Sequence, residues 1–189
     1  TCRFDSTTKK DILIKAIEQR KKFSLNAMKI LNVKSYFYYN LPCGKFDQIP
    51  ILKLAKIIEK EISTFKPNII FTHSETDVHV DHQRTFQATL QATRPSLNNN
   101  INTVLSFEIL SSTEKNFTKE FLPNYFVELD IKSLNKKLSA MKSYKTETKK
   151  YPFSRSIVSI KNLAMYRGAQ SGCDYAEAFK IIRIVKKIS

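Results

Sequence analysis

The spacing of apolar residues along the chain changes repeatedly between a helical period and short continuous runs. The helical spacing predicts a first helix that ends near Asn32 and a second helix over residues 51–65, which begins just after Pro50. Between and after them, the apolar runs at 35–39 and 69–73 have the length and composition of strands. The run at 69–73 has no polar alternation, so we expect a buried parallel strand there.

The same alternation continues through the rest of the chain. It predicts a third helix from about His82 to Thr93, strands at 104–110 and 125–130, and a helix over about 131–144. A final apolar segment, 177–185, fits either a strand or a short helix. Helices that alternate with strands predict a Rossmann-like α/β fold, an open and mostly parallel sheet with helices on both faces.

The chain length is that of one domain. We predict a single domain over residues 1–189, in which the first strand–helix unit is lacking, because the segment before the first helix has only the length of a strand's end. No apolar run approaches the roughly 18 residues of a membrane span. Cys2, Cys43 and Cys173 are scattered without metal-ligand spacing, so we expect reduced thiols and a cytoplasmic protein.

Charge is the unusual feature of the composition. The chain has 32 Lys and Arg residues against 17 Asp and Glu residues, a formal net charge of +15. Such a balance favours anionic partners: a nucleic acid, an acidic membrane surface or an anionic substrate. The densest basic stretch, residues 132–150, has the pattern of a helix with a solvated face, which is the more frequent reason for such a run.

All three histidines of the chain lie between residues 73 and 82, just after the predicted strand at 69–73. His79, Asp81 and His82 form an H-x-D-H pattern in the loop where open α/β sheets bind ligands. Histidine titrates near neutral pH and is the commonest metal ligand, and a nearby carboxylate can orient its ring. The alternative is a set of surface histidines with Asp81 as the helix N-cap. We expect His73 to end the strand or to line the pocket without a catalytic role.

The segment FKPNIIFTHSETDVHVDHQRTFQATLQATRP resembles the second signature of the PIG-L/LmbE-like family of zinc-dependent N-deacetylases. In that family, a strand P-D-x-V-x-T-H leads into an H-x-D-H loop and a helix that ends in A-x-R-P. Further similarity lies in the helix around Arg20, in LPCGKF at 41–46, and in YAEAF at 175–179. The resemblance thus extends over nearly the whole chain, and the H-x-D-H loop is its most specific part.

The resemblance implies a role for each matching position. His82 would be a zinc ligand, and His79 would face the substrate carbonyl, with Asp81 raising its basicity. Arg20 would bind substrate and Asp77 would shape the loop. The cofactor would be zinc, which polarises the acetyl carbonyl and its attacking water.

One family signature is not in the printed sequence. The A-H-P-D-D-E stretch supplies a His ligand, an Asp ligand and the Asp base in the family, and its place would be just upstream of Thr1. Because a catalytic zinc normally has three protein ligands, we expect a chain that lacks its N-terminal segment in preference to a zinc-free relative. Phe23, Asn32 and Cys43 also depart from the family pattern.

These observations predict a zinc-dependent hydrolase that removes the acetyl group from an N-acetylglucosamine-type sugar conjugate. The positive charge would help it capture a phosphate group on that substrate, and no nucleic acid is expected as a partner. Two alternatives stay open. One is a basic module that binds nucleic acid or acidic membranes through residues 132–150, and the other is an inactive relative that binds sugar.

Overall fold

The computed structural model describes residues 8–95 and 100–186. Within them lie the helices α1 (Lys10–Leu31), α2 (Ile51–Phe65), α3 (Val80–Ala92), α4 (Ile131–Lys142) and α5 (Ile157–Ser171). The strands are β1 (Ile69–Thr72), β2 (Thr103–Phe107), β3 (Tyr125–Glu128) and β4 (Ala176–Ile184). In this part of the chain, no helix is both long enough and apolar enough to cross a bilayer.

The four strands form one open sheet in the order β1-β2-β4-β3, so the predicted α/β fold class is confirmed. The sheet is mixed: β1 runs parallel to β2, with Ile69 opposite Thr103, whereas β4 runs antiparallel to β2. The predicted strand at 69–73 is present and parallel to its neighbour, but the expectation that it is buried is wrong. Ile69 and Phe71 are each about half exposed, and among the described strands β1 stands at the end of the order, with β2 as its one neighbour there.

The described residues divide into two compact units. The first unit contains the residues up to Cys43 together with 127–177, and in it α1 packs on α4 and α4 on α5. Its core consists of buried apolar side chains from these three helices: Phe23, Ala27, Leu134, Ala140, Ile160 and Ala164. The expectation of a single domain over 1–189 stays a prediction.

The second unit contains the described residues of 44–126 and those from 178 onward. Here α2 packs on α3, and α3 packs on β1. Leu54 and Ala55 of α2, Phe86 and Ala88 of α3, and Val104 of β2 are buried between them. Because α3 follows β1 and packs back on it, the polar loop between the two elements is held at the carboxyl end of β1.

Two local predictions differ from the structure. Residues 35–39 form no strand, and Tyr36 and Phe37 are about half exposed, because aromatic β-propensity does not act without a paired strand. Helix α5 was not predicted. It contains Gly168, a residue unfavourable inside helices, but a Cβ atom there would lie 2.5 Å from the carbonyl oxygen of Cys173, so the close packing requires glycine.

The cysteine prediction is also wrong in part. Cys43 is disulfide-bonded, whereas Cys173 is a free thiol. Cys2 lies outside the described residues. Disulfides persist mainly in oxidising compartments, so the bond at Cys43 weighs against the expectation of a reducing, cytoplasmic setting.

Candidate functional site

The loop between β1 and α3 is fixed by polar contacts of its own residues. The hydroxyl of Ser74 accepts a hydrogen bond from the backbone N–H of Thr76 at 3.1 Å. The side-chain amide of Asn116 donates to the carbonyl of Thr76 at 2.8 Å. Ser74 and Thr76 are buried, so the loop is a packed element. Side chains that follow it are therefore held in defined positions.

Asp77 is the fully buried centre of this loop. Its Oδ1 accepts a hydrogen bond from the backbone N–H of His79 at 2.8 Å. Its Oδ2 accepts from the hydroxyls of Ser112 and Thr113 at 2.8 and 3.2 Å and lies 2.9 Å from Nδ1 of His82. Burial alone raises the pKa of Asp77, but the hydrogen bonds from His82, His79 and Ser112 outweigh it and lower the pKa below its usual value.

The contact with Asp77 determines the protonation of the His82 ring. An ionised Asp77 only accepts hydrogen bonds, so Nδ1 of His82 carries the proton. In a neutral ring, Nε2 then has a free lone pair, and the His82 side chain is 24% exposed. Histidines that bind a metal through one ring nitrogen usually donate a hydrogen bond from the other ring nitrogen to such a carboxylate.

His79 has the opposite proton arrangement. It is the N-cap of α3, and its Nδ1 accepts a hydrogen bond from the backbone N–H of Asp81 at 3.2 Å. A neutral His79 therefore has its proton on Nε2 and can donate from there. The two neighbouring imidazoles thus differ in tautomer. Nε2 of His82 has a free lone pair, whereas Nε2 of His79 has a proton to donate.

The three histidine rings lie in one stack. His82 lies between the others, with its ring centroid 4.1 Å from that of His73 and 4.5 Å from that of His79. Burial, and then the adjacent His82, lowers the pKa of His73 to about 4, so its ring is neutral at pH 7. The structure thus places His73 directly against His82, a contact that spacing along the chain did not predict.

Asp81, in the first turn of α3, contacts the loop at residues 44–46. Its carboxylate oxygens accept hydrogen bonds from the backbone N–H groups of Gly44 and Phe46 at 2.6 and 3.0 Å. Gly44 has a φ of 73°, a left-handed conformation that glycine adopts without strain. The Asp81 carboxylate thus fixes loop 44–46, and the contact of Asp81 with the His79 ring is made by its backbone N–H.

Comparison with known families tests the resemblance that these motifs predicted. The family model PIG-L, described as GlcNAc-PI de-N-acetylase, matches residues 4–93, which include α1 and the histidine loop. This part of the chain matches the PIG-L family. The predicted resemblance is therefore confirmed. No curated protein sequence matches the chain.

Solved structures of other proteins share the fold of this chain. A conserved protein from Thermus thermophilus is similar with a TM-score of 0.71 and 18% identity, over 90% of this chain and 76% of that one. N,N′-diacetylchitobiose deacetylase from Pyrococcus horikoshii is similar with a TM-score of 0.68 and 18% identity, over 88% of this chain and 64% of that one. The chain therefore spans less than two thirds of that deacetylase.

The fold does not specify a reaction. A 4-carboxy-2-hydroxymuconate hydratase from Pseudomonas putida is also similar, with a TM-score of 0.63 and 19% identity, over 99% of this chain and 80% of that one. At such identities, the similarity establishes the shared fold, and the chemistry has to be argued from the side chains.

Arg20, the remaining predicted site residue, lies on α1 in the first unit. Its Nη1 lies 3.1 Å from Oε1 of Glu147, and its side chain is 51% exposed. Four of the predicted residues, Asp77, His79, Asp81 and His82, are therefore brought together in the second unit, whereas Arg20 belongs to a separate ion-pair cluster. The roles that the resemblance implies for all five stay predictions.

Sequence reasoning missed Ser112 and Thr113. Both hydroxyls bond Asp77 from the segment that follows β2, the parallel neighbour of β1. A signal was present: parallel strands end at the same sheet edge, so polar residues after β2 were candidates for contact with the loop after β1. The pair Ser111-Ser112 followed by Thr113 has that position in the sequence.

The donor set for a metal ion is incomplete within the described residues. Among residues 8–95 and 100–186, no three His, Cys, Asp or Glu side chains are grouped so that they could hold a metal ion. His82 has the tautomer and the carboxylate partner of a ligand, yet a catalytic zinc normally has three protein ligands. Among the described residues, His82 could therefore supply one zinc ligand, and the other ligands of a zinc site are not found there.

Proposed function

We propose that this protein is a zinc-dependent hydrolase that removes the acetyl group from an N-acetylglucosamine-type sugar conjugate. The observation that carries the proposal is the pair of oppositely protonated imidazoles. His82, oriented by Asp77 at 2.9 Å, has a free lone pair on Nε2, and His79 beside it has an N–H donor. Amide hydrolysis needs both an electrophilic centre and a donor to the carbonyl oxygen.

His82 is the proposed zinc ligand. Bound zinc supplies Lewis-acid polarisation of the acetyl carbonyl and lowers the pKa of the attacking water. The ligands beyond His82 are those of the A-H-P-D-D-E motif of the family, which the printed sequence does not contain. Asp77 holds the Nδ1 proton of His82 in place, and the half-buried ring of His73 stacks on the His82 ring.

His79 is the proposed catalytic histidine. Its Nε2 proton is available to stabilise the negative oxygen that forms on the acetyl carbon, or to pass to the departing amine. Asp81 supports it through the backbone N–H that bonds Nδ1, and its carboxylate fixes loop 44–46. Within this proposal, Asp81 is thus a positioning residue for His79 and for that loop.

The substrate class is proposed from the family and from charge. The PIG-L family description names GlcNAc-PI, and the net charge of +15 suits a sugar conjugate that carries phosphate. The cytoplasmic location stays a prediction, and the disulfide at Cys43 is the observation against it.

The decisive experiment measures acetate release. The coding sequence upstream of Thr1 is read first, and the protein that includes any A-H-P-D-D-E motif found there is purified. We expect it to release acetate from an N-acetylglucosamine conjugate, to lose this activity with a zinc chelator and to regain it when zinc is added back. His82→Ala is expected to lower the rate at least about a hundredfold.

Gln87→Ala is a suitable control, because Gln87 lies one turn further along α3 and is exposed. It should retain the activity of the unmodified protein. Full activity after complete removal of the metal would overturn the zinc-dependent mechanism. Sugar binding without acetate release, despite an intact upstream motif, would favour the inactive relative over the hydrolase.

The basic binding module remains the competing class of function. In α4, Lys132, Lys136 and Lys142 are exposed, as that hypothesis requires. Its affinity for nucleic acid or acidic vesicles would fall steeply with ionic strength. Negligible binding at low salt would eliminate it.

A further inference from the structure

The turn after β2 contains a serine in an unusual backbone conformation. Ser111 has a φ of 85°, in the left-handed region that residues with a Cβ atom rarely adopt. Asn32 and Lys66 also have a positive φ, but both are C-caps, where helices commonly end in this way. Ser111 instead lies between β2 and a short 3-10 helix, Thr113–Lys115. Such a conformation persists where neighbouring contacts hold it.

The carboxylate of Glu114 supplies those contacts. Its Oε1 accepts a hydrogen bond from the backbone N–H of Ser111 at 2.7 Å, and its Oε2 accepts from the backbone N–H of Ser112 at 3.1 Å. One carboxylate thus binds two successive N–H groups, and hydrogen bonds to an ionised acceptor are the strong ones. The N–H of Ser112 is shared with the carbonyl of Ile109, whereas the N–H of Ser111 has Glu114 as its one acceptor among the described residues.

The two residues after the strained serine contact the histidine site. The hydroxyls of Ser112 and Thr113, both buried, donate to Oδ2 of Asp77 at 2.8 and 3.2 Å. The Thr113 hydroxyl accepts the backbone N–H of Ile109 at 2.8 Å, so its proton is left for Asp77. The same Oδ2 lies 2.9 Å from Nδ1 of His82. The position of the turn therefore determines the orientation of this carboxylate.

The exposure of Glu114 distinguishes it from the residues that it holds. Glu114 is exposed, whereas Ser112 and Thr113 are buried. Water can replace an exposed acceptor, so the loss of Glu114 should cost little stability. Water does not supply one fixed carboxylate for two N–H groups. Without it, Ser111 should return to the negative φ that residues with a Cβ atom prefer, and the following hydroxyls should move with it.

We propose that Glu114 is a positioning residue of the histidine site: it holds Ser111 in the left-handed conformation and so directs the two following hydroxyls to Asp77. Asp77 then keeps its Oδ2 against Nδ1 of His82, and the Nε2 lone pair of His82 stays free. The catalytic consequence rests on the proposed function, because it requires that His82 belongs to the active site. The alternative is that Glu114 stabilises the turn without any effect on the His82 ring.

The tautomer of His82 is the first readout. Long-range ¹H–¹⁵N spectra of the metal-free protein distinguish a proton on Nδ1 from a proton on Nε2, and signals missing in His82→Ala are those of His82. Positioning predicts that Glu114→Ala changes a ring protonated on Nδ1 into a mixture of both tautomers. The control Glu120→Ala, which removes an exposed glutamate from the same segment, should leave the spectrum unchanged. An unchanged His82 ring in Glu114→Ala would overturn the proposal.

Substitution of the strained residue tests the route of the effect. Glycine adopts a positive φ without the steric cost that serine has, so Ser111→Gly lowers the need for the Glu114 carboxylate. We expect Ser111→Gly combined with Glu114→Ala to recover most of the Nδ1-protonated form. The matched control combines Ser111→Ala with Glu114→Ala, keeps the steric cost and should recover none. Equal recovery by the two double variants, or recovery by neither, would contradict a route through Ser111.

The spectra are recorded well below the denaturation midpoint of each variant, and circular dichroism checks its fold. A purely structural role predicts a lower urea midpoint for Glu114→Ala with the His82 tautomer unchanged. If Glu114→Ala does not fold, Glu114→Gln decides, because its amide keeps one acceptor oxygen and loses the other. A mixture of His82 tautomers in Glu114→Gln supports the proposal, and a ring protonated on Nδ1 alone overturns it.

Acetate release provides an independent test of the catalytic consequence. In the protein purified for that measurement, Glu114→Ala should lower kcat about tenfold and leave KM nearly unchanged, since Glu114 acts through the partner of a histidine. Mixed His82 tautomers in Glu114→Ala, with no acetate release by any form of the protein, would contradict the proposed function and leave the positioning role supported. Acetate release by Glu114→Ala at the kcat of the unmodified protein would contradict the catalytic consequence and leave the proposed function intact.

Discussion

Two buried carboxylates, Asp77 and Glu147, have opposite kinds of partner. Asp77 is fully buried and is bonded by a backbone N–H, two hydroxyls and an imidazole. Glu147 is nearly as buried, but its oxygens face the guanidinium groups of Arg20 and Arg155. Dipolar groups therefore satisfy the first carboxylate almost entirely, and full positive charges satisfy the second.

The partners of each carboxylate decide what it can do. Short, directed hydrogen bonds place Asp77 against one nitrogen of His82 and thereby select a tautomer. Ion pairs with two arginines act over a longer range and are weakened where solvent reaches them, so their contribution depends on salt. The three predictions that follow test this contrast, in order of decreasing effect.

Removal of the Asp77 side chain should have the largest effect. Asp77→Ala leaves the buried Ser112 and Thr113 hydroxyls, the His79 N–H and the His82 ring without their acceptor. Since each unsatisfied buried donor is costly, we expect the free energy of unfolding to fall by about 3 kcal/mol. Urea denaturation measures it. Asp77→Asn, which retains one carbonyl acceptor, should lose less, and a loss below about 1 kcal/mol for Asp77→Ala would contradict the network described here.

Removal of the Glu147 side chain should have a smaller effect that depends on salt. Glu147→Ala leaves two guanidinium groups close to each other, but Arg20 is half exposed and its charge is screened by solvent. We expect a loss of about 2 kcal/mol at low salt. The comparison is repeated in 1 M salt, at roughly a 3 Å Debye length, where the loss for Glu147→Ala should shrink and the loss for Asp77→Ala should not. Equal salt dependence of the losses for Glu147→Ala and Asp77→Ala would contradict the contrast between charged and dipolar partners.

A surface ion pair should give the smallest change in the free energy of unfolding. Nζ of Lys180 lies 2.8 Å from Oε1 of Glu75, and the two side chains are 36% and 49% exposed. Because solvent screens such a pair, Glu75→Gln should change the free energy of unfolding by less than about 0.5 kcal/mol. Glu75 lies in the same loop as Asp77, so thermal melts of the two variants compare a buried and an exposed carboxylate within three positions of the sequence. A change for Glu75→Gln as large as that for Asp77→Ala would show that the loop responds to any substitution.

Local patterns predicted much of the fold. Helix α2 was predicted with its observed bounds, because its apolar residues recur at one period and Pro50 precedes them. Helix α5 was not, since Gly168 argues against a helix until the carbonyl of Cys173 is known to approach it. The aromatic run at 35–39 has strand-forming residues but is not paired in the sheet. Strand formation depends on a distant partner, which residue preferences alone cannot identify.

The sequence predicted only part of the candidate site as well. His79, Asp81 and His82 were recognisable because their spacing and their place after a strand are local properties. His73 against His82, the hydroxyls of Ser112 and Thr113 on Asp77, and Glu147 against Arg20 are contacts between residues 9 to 127 positions apart. Such contacts depend on which sheet edge or helix face the fold brings together.

The amino-acid sequence alone showed which chemical groups follow the strand at 69–73, and it predicted the resemblance to the PIG-L family. The tertiary structure alone decided how those groups are protonated. His79 and His82 are the same kind of side chain three residues apart, yet one accepts at Nδ1 from a backbone N–H and the other donates from Nδ1 to a buried carboxylate. Hydrogen-bond partners set the tautomer of an imidazole, and those partners are positioned by packing.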